Sequence, residues 1–271
     1  MTSGLDHIAI AVNDLEPAQS LYTSLLSVEP DREDGDGAKR AWFRFHNMAL
    51  ELMAPDGEGG GGDRVRAQLS AHGEGMWSLA FTTSNLETCG KHLARLGLRN
   101  ALLAPPAKAL GLDPADTGGL QIFMKPESQV RISPVTSDGA ATGLDHVVVH
   151  TASPDRALAI YGAKLGLELR LDRSNADWGV RQLFFKAGEA VVEFGASLKS
   201  PATDDPDRFG GMAWRVADAE IARARIAAAG FDVSEVRQGR KPGTKVFTVR
   251  GGVPAAPALF VEQGHVAPPE A

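Results

Sequence analysis

Gly143-Leu-Asp-His-Val-Val-Val-His150 restates, at a lag of 139 residues, an opening already used at Gly4-Leu-Asp-His-Ile-Ala-Ile10. The match runs on. Asp14 to Tyr22, followed by Leu25 and Leu26, corresponds to Ser153 to Tyr161, followed by Leu165 and Leu167, and Tyr22 and Tyr161 keep the lag between His7 and His146. A period this long reads as a duplicated domain, not a solenoid repeat.

Each opening is largely apolar with weak alternation, as in a sheet strand covered on both faces. Asp14 is placed to cap the following helix, with Pro17 in its first turn and Ala18, Leu21, Tyr22 and Leu25 as its apolar face. Ala41 to Phe45 and Met48 to Met53 read as strands joined at His46-Asn47, with a further strand near Ser27 to Arg32. Pro55 to Asp63 holds five glycines and reads as a loop or crossover without enough side chain for a core element. It lacks the lysine and hydroxyl residue of a phosphate-binding loop.

A more diverged second unit starts at Trp77 to Thr82. Ser84 or Asn85 caps a helix from Leu86 to Leu96 ended by Gly97, and Leu120 to Met124 and Gln129 to Val135 supply the last strand pair. Residues 100–119, rich in Pro and Gly, read as a loop over a pocket mouth. After a linker at Thr136 to Thr142, the pattern returns as 144–150, helix 154–165, 168–173, 180–185 and 190–194, then a crossover at 201–209. A fourth unit follows as 212–216, helix 218–229 ended by Gly230, 231–235, 245–249 and 258–262. The expected division is an N-terminal domain over 1–136 and a C-terminal domain over 143–265.

The chain has 271 residues, 43% of them apolar and 23% charged, enough for two packed domains. A net charge of -6 offers no general attraction to nucleic acid or to an anionic membrane surface. No apolar run reaches a membrane span and Met1-Thr-Ser has no signal-peptide character, so a soluble cytoplasmic protein is expected. Cys89 is the single cysteine, which leaves no disulfide framework and suits a reducing compartment.

These features resemble the vicinal oxygen chelate superfamily, the group of glyoxalases, bleomycin-resistance proteins and extradiol dioxygenases. The resemblance rests on Leu5-Asp6-His7 and Leu144-Asp145-His146, each followed by a helix ending near Tyr and Leu. It also rests on the strand endings Ala49-Leu-Glu-Leu52, Val191-Val-Glu-Phe194 and Leu259-Phe-Val-Glu262. It implies an α+β fold of four βαβββ modules forming two glyoxalase-like domains with curved mixed sheets. The first and last strands of each module can then present metal ligands inside a cup.

Period-two alternation puts His146, Val148 and His150 on one strand face. The resemblance points to His146, Glu193 and Glu262 as ligands of one divalent ion, iron, manganese, zinc or nickel, which would bind adjacent substrate oxygens. His150 is a fourth ligand or a base, and Glu193 a second catalytic candidate. Trp178, Trp214 and Arg131 are candidate substrate contacts. His7 and Glu51 form a secondary candidate site in the N-terminal cup, where Ser78 and Arg131 stand at the other two ligand places. In the fourth module the place of a histidine falls on Gly211 or Met212.

The expected function is a metal-dependent isomerase, lyase or ring-cleaving dioxygenase acting on a small, aromatic or oxygen-rich molecule. The alternative is metal-free sequestration of the bleomycin-resistance kind. A homodimer joined through sheet edges is compatible with either.

Overall fold

The computed structural model describes residues 2–128, 131–251 and 258–264. In the first half, β1 (Thr2–Ala11), α1 (Leu15–Leu26), β2 (Asp31–Gly35), β3 (Ala38–Arg44) and β4 (Ala49–Pro55) form one module. Helix α2 (Gly60–His72) follows. The second module is β5 (Gly75–Thr83), α3 (Leu86–Arg95), β6 (Asn100–Leu102), β7 (Leu110–Leu112) and β8 (Gln121–Pro126).

The second half repeats this with β9 (Ala141–His150), α4 (Pro154–Ala157), β10 (Glu168–Asn175), β11 (Val180–Ala187) and β12 (Ala190–Ser197). Its last module is β13 (Arg208–Val216), α5 (Ala219–Ala228), β14 (Arg237–Gln238), β15 (Lys245–Val249) and β16 (Ala258–Glu262). The two eight-stranded sheets have corresponding orders, β2-β3-β4-β1-β5-β8-β7-β6 and β10-β11-β12-β9-β13-β16-β15-β14. In each, the first strands of two modules pair antiparallel at the centre, and each pairs in parallel with the last strand of its own module.

Local sequence accounts for the helices. Asp14 accepts from Glu16 N at the start of α1, Asn85 from Thr88 N at α3, and Asp218 from Ile221 N at α5. The apolar positions of these helices meet one face of each sheet. Ile8, Ile10, Leu50, Phe81, Val147, Val149, Phe194 and Trp214 belong to a single buried core that runs through both halves. The opposite face of each sheet is the cup face.

Five expectations need correction, the first being the loop over 100–119, which instead carries β6 and β7. The glycine-rich stretch is not a loop throughout, because Gly60, Gly61 and Gly62 make the first turn of α2. A Cβ on Gly62 would lie 1.9 Å from Gly37 O and one on Gly59 would lie 2.4 Å from Asp36 C, so the helix starts directly against the β2–β3 turn. Val65 and Leu69 then pack into the N-terminal cup against Ala9, Met53 and Trp77.

Residues 131–135 form no strand. Their backbone makes one bridge, Val28 to Val135, while Gln129 and Val130 lie outside the described residues, and β8 is the last strand of its module. The helix expected over 154–165 is α-helical only to Ala157 and continues as a π-helix over Leu158–Lys164. The strand expected at 231–235 reduces to a bridge between Val233 and Val249, with β14 placed later.

Candidate active site

The chemistry-bearing residues sit where a bulge interrupts each central strand. Between Leu5 and His7 the register of β1 against β5 shifts by one residue, and Asp6 is the extra one; Asp145 is its counterpart in β9. A bulge turns neighbouring side chains toward the same side, against simple alternation. Asp6 Oδ1 therefore lies 2.5 Å from His7 Nδ1, and Asp145 Oδ1 lies 2.9 Å from His146 Nδ1.

The other ring nitrogen faces a glutamate on the parallel neighbour. His7 Nε2 is 3.4 Å from Glu51 Oε2, and His146 Nε2 is 3.5 Å from Glu193 Oε2. Both cups thus carry an Asp–His–Glu chain. Arg40 Nε holds Glu51 Oε1 at 3.1 Å, whereas Gln182 Nε2 donates to Glu193 Oε1 at 2.5 Å and Gln182 in turn accepts from Arg173.

Burial alone would raise the Asp6 carboxyl, but the hydrogen bond and charge of His7, with Lys125 3.5 Å away, hold it below the usual carboxylate range. Asp145 is likewise pushed up by burial and brought down further by His146, Arg215 and Gln263. Each aspartate stays ionised and fixes its histidine so that Nε2 points at the glutamate.

The two cups differ in access. In the N-terminal one α2 lies over the cup face and Trp42 packs edge-on to His7 at 5.1 Å, leaving the His7 side chain 7% exposed. Among the described residues no helix covers the C-terminal one. There the His146 side chain is 19% exposed.

The sequence profile of the Glyoxalase/Bleomycin resistance protein/Dioxygenase superfamily matches residues 6–113 and 145–248, one stretch in each half. The chain belongs to that superfamily. Solved structures share its fold. A mutant of 4-hydroxymandelate synthase from Streptomyces coelicolor matches at TM-score 0.73 and 13% identity, over 100% of this chain and 95% of that one. A halotolerant catechol dioxygenase matches at 0.67 and 12%, over 100% and 91%. None of the curated proteins matches in sequence.

Within this superfamily fold, the pseudo-twofold at the β1–β5 and β9–β13 pairs fixes which residues occupy equivalent places. His7 corresponds to Ser78 and Glu51 to Phe123, while His146 corresponds to Gly211 and Glu193 to Leu259. Each cup therefore holds one histidine and one glutamate from its first module and no ligand from its second.

Glu262 does not join His146 and Glu193. It pairs with Val216 on the helix face, where its Oε2 accepts from Ala219 N at 2.9 Å and its Oε1 meets Lys245 at 3.3 Å. It lies three positions beyond Leu259, and that odd offset turns it to the other side. Trp214 also lies on the helix face, fully buried against Phe45 at 5.2 Å, so it is core and does not line the cup. Arg131 is an exposed residue beyond β8, the last strand of that module, which ends at Pro126; the place equivalent to Glu51 falls on Phe123 and not on residue 131.

Trp178 stands 46% exposed at the β10–β11 turn, with Arg240 3.8 Å over its ring. His150 is on the same face as His146 but four residues further along, roughly 13 Å at the rise of a strand.

A divalent ion at the C-terminal cup would find His146 Nε2 and Glu193 Oε2 at a spacing suited to two coordination positions. The residues at the other two places, Gly211 and Leu259, have no donor atom, and among the described residues no group of three His, Cys, Asp or Glu side chains converges on a point. The donor set is thus half of the one the superfamily implies. Asp145, Gln182 and Arg173 escaped the sequence reading; the repeated Leu-Asp-His was the available sign of the first, and nothing local marks the other two.

Proposed function

We propose that the chain is a small-molecule enzyme whose chemistry lies in the C-terminal cup, with Glu193 as proton acceptor and His146 as proton donor. The observation that carries this reading is the Asp145–His146–Glu193 chain standing in an open cup while its duplicate is covered. In the doubly protonated imidazolium Asp145 accepts from Nδ1 and the Nε2 proton is the one given to a substrate oxygen, so the step starts from that form of His146. Glu193, steadied by Gln182, removes a proton from the carbon beside that oxygen as His146 protonates the oxygen, giving an enediol; the protonated Glu193 then delivers its proton to either carbon while a hydroxyl proton goes back to His146 Nε2. The reading is of the isomerase and lyase kind, for a substrate with adjacent oxygens. Among the described residues His146 and Glu193 are the two donors a metal would meet in this cup, and the proton transfer is assigned to these groups themselves. The division into domains over 1–136 and 143–265 is part of the same reading.

Solvent-deuterium incorporation into dihydroxyacetone and pyruvate in D2O tests it. The protein should accelerate exchange in at least one probe, and Glu193→Gln should lower that rate by about 100-fold or more, in the range of positioned acid-base groups. His146→Gln should lose a similar factor. The sequestration reading is favoured by the missing second-module ligands. Stoichiometric probe binding with identical exchange in wild type and Glu193→Gln would establish it in place of catalysis.

A further inference from the structure

A cavity of about 370 Å³ opens beside the far end of β9, lined by His150, Thr151, Gly195, Ser197, Ser200 and Arg208, with Thr203 and Asp205 on the loop that closes it. His150 and Arg208 are direct cross-strand partners. Two basic side chains placed opposite each other on an antiparallel pair repel when both are charged. Among the described residues neither makes a hydrogen bond or an ion pair, while most arginines of the chain do. On the other side of His150 its parallel neighbour is Gly195, where a Cβ would meet nothing within 4 Å, so the floor of the cavity is open backbone. Gly210 gives the imidazole its room, since a Cβ there would come 2.5 Å from Nε2.

The remaining polar lining is hydroxyls and one acid, set among the apolar Ala152, Pro201 and Pro206. Ser197 Oγ accepts from Lys199 N, Thr151 Oγ1 accepts from Ser153 N, and Thr203 Oγ1 donates to Asp205 Oδ2 at 2.7 Å. Each of these still has hydrogen-bonding capacity to offer. We propose that this cavity binds a small hydroxy-carboxylate, its carboxylate bridging Arg208 and His150 and its hydroxyls meeting Ser197, Ser200 and Asp205. A carboxylate placed there gives Arg208 a charge-assisted partner and His150 a hydrogen-bond acceptor, neither of which the described residues provide. Asp205 disfavours a ligand that is anionic throughout and accepts from one that carries hydroxyls. The size suits a molecule at the small end of ligand pockets.

Calorimetric titration of the full chain with tartrate, malonate and inorganic phosphate tests the site. Tartrate should bind saturably at one per chain and more tightly than malonate. Arg208→Gln and His150→Gln should each weaken it about tenfold or more. Arg95→Gln, at an exposed arginine elsewhere that has no ion pair among the described residues, should leave it unchanged and controls for net charge. Retained binding in Glu193→Gln separates this site from the proton-transfer reading, which that variant disables. No saturable tartrate binding, an equal loss in Arg95→Gln, or phosphate binding in preference to tartrate would each overturn the proposal. Since Arg208 and His150 are exposed, unchanged thermal unfolding of both variants is expected and excludes misfolding as the cause.

Discussion

Asp145 and His146 are adjacent in sequence, and in a regular strand they would face opposite ways; the bulge brings them together and makes the aspartate the histidine's partner. This has a consequence for pH. The Asp145 carboxyl is held below its ordinary value in the folded chain, so it contributes stability above the unfolded carboxylate pKa, near 4, and loses it as pH falls through the lower folded value. Asp6 acts with the same sign. Asp145→Asn should therefore cost about 2 kcal/mol at pH 7, the scale of a charged hydrogen bond. Urea unfolding at descending pH should show that difference shrinking below pH 4. A gap that stayed constant to pH 2 would mean that the carboxylate's charge is not what stabilises the pair.

At the scale of elements, many strands and helices of both halves were legible because periodicity and caps are local, and β15 and β16 fall at the residues expected. The short strands β6, β7 and β14 were not, since two or three residues carry no periodicity, and two further features were hidden as well. Glycine at 60–62 lowers helix propensity by about 1 kcal/mol per residue, and only the close approach to Gly37 offsets that. The facing of Glu262 depends on register across β13, which no local pattern reveals.

Both points give measurable outcomes. Gly62→Ala forces a methyl into the Gly37 carbonyl and should destabilise the chain by about 3 kcal/mol, the upper range for overpacking. Chemical denaturation reads it directly. Leu259→Glu places a carboxylate at the place equivalent to Glu193, so that three donors face one point in the C-terminal cup. Zinc or manganese titration should then show one tight site in the variant and weak binding in the wild type. Equal affinity in both would refute the equivalence of Leu259 and Glu193.

For the whole molecule, the copied openings lie at the seam between the halves. Asn47 Nδ2 donates to Leu144 O at 2.7 Å and its Oδ1 accepts from Leu144 N at 3.2 Å, and Thr2 Oγ1 donates to Leu165 O at 2.6 Å. Helix α1 has no basic residue in its last turn. Arg225 from α5 supplies one across the seam, with NH1 donating to Ser24 O at 2.5 Å and NH2 to Leu25 O at 2.9 Å. A cation at a helix C-terminus is favourable, more so when partly buried.

Since one core runs through both sheets, the two halves should unfold together. Arg225→Met keeps the apolar stem and removes the charge, leaving those carbonyls without their donor at a cost of about 2 kcal/mol. Trp42 and Trp77 report on the first half and Trp178 and Trp214 on the second. Single-half tryptophan variants followed through urea should give coincident midpoints in the parent chain, and midpoints that separate in Arg225→Met. Separate midpoints already in the parent would show that the seam does not couple the halves.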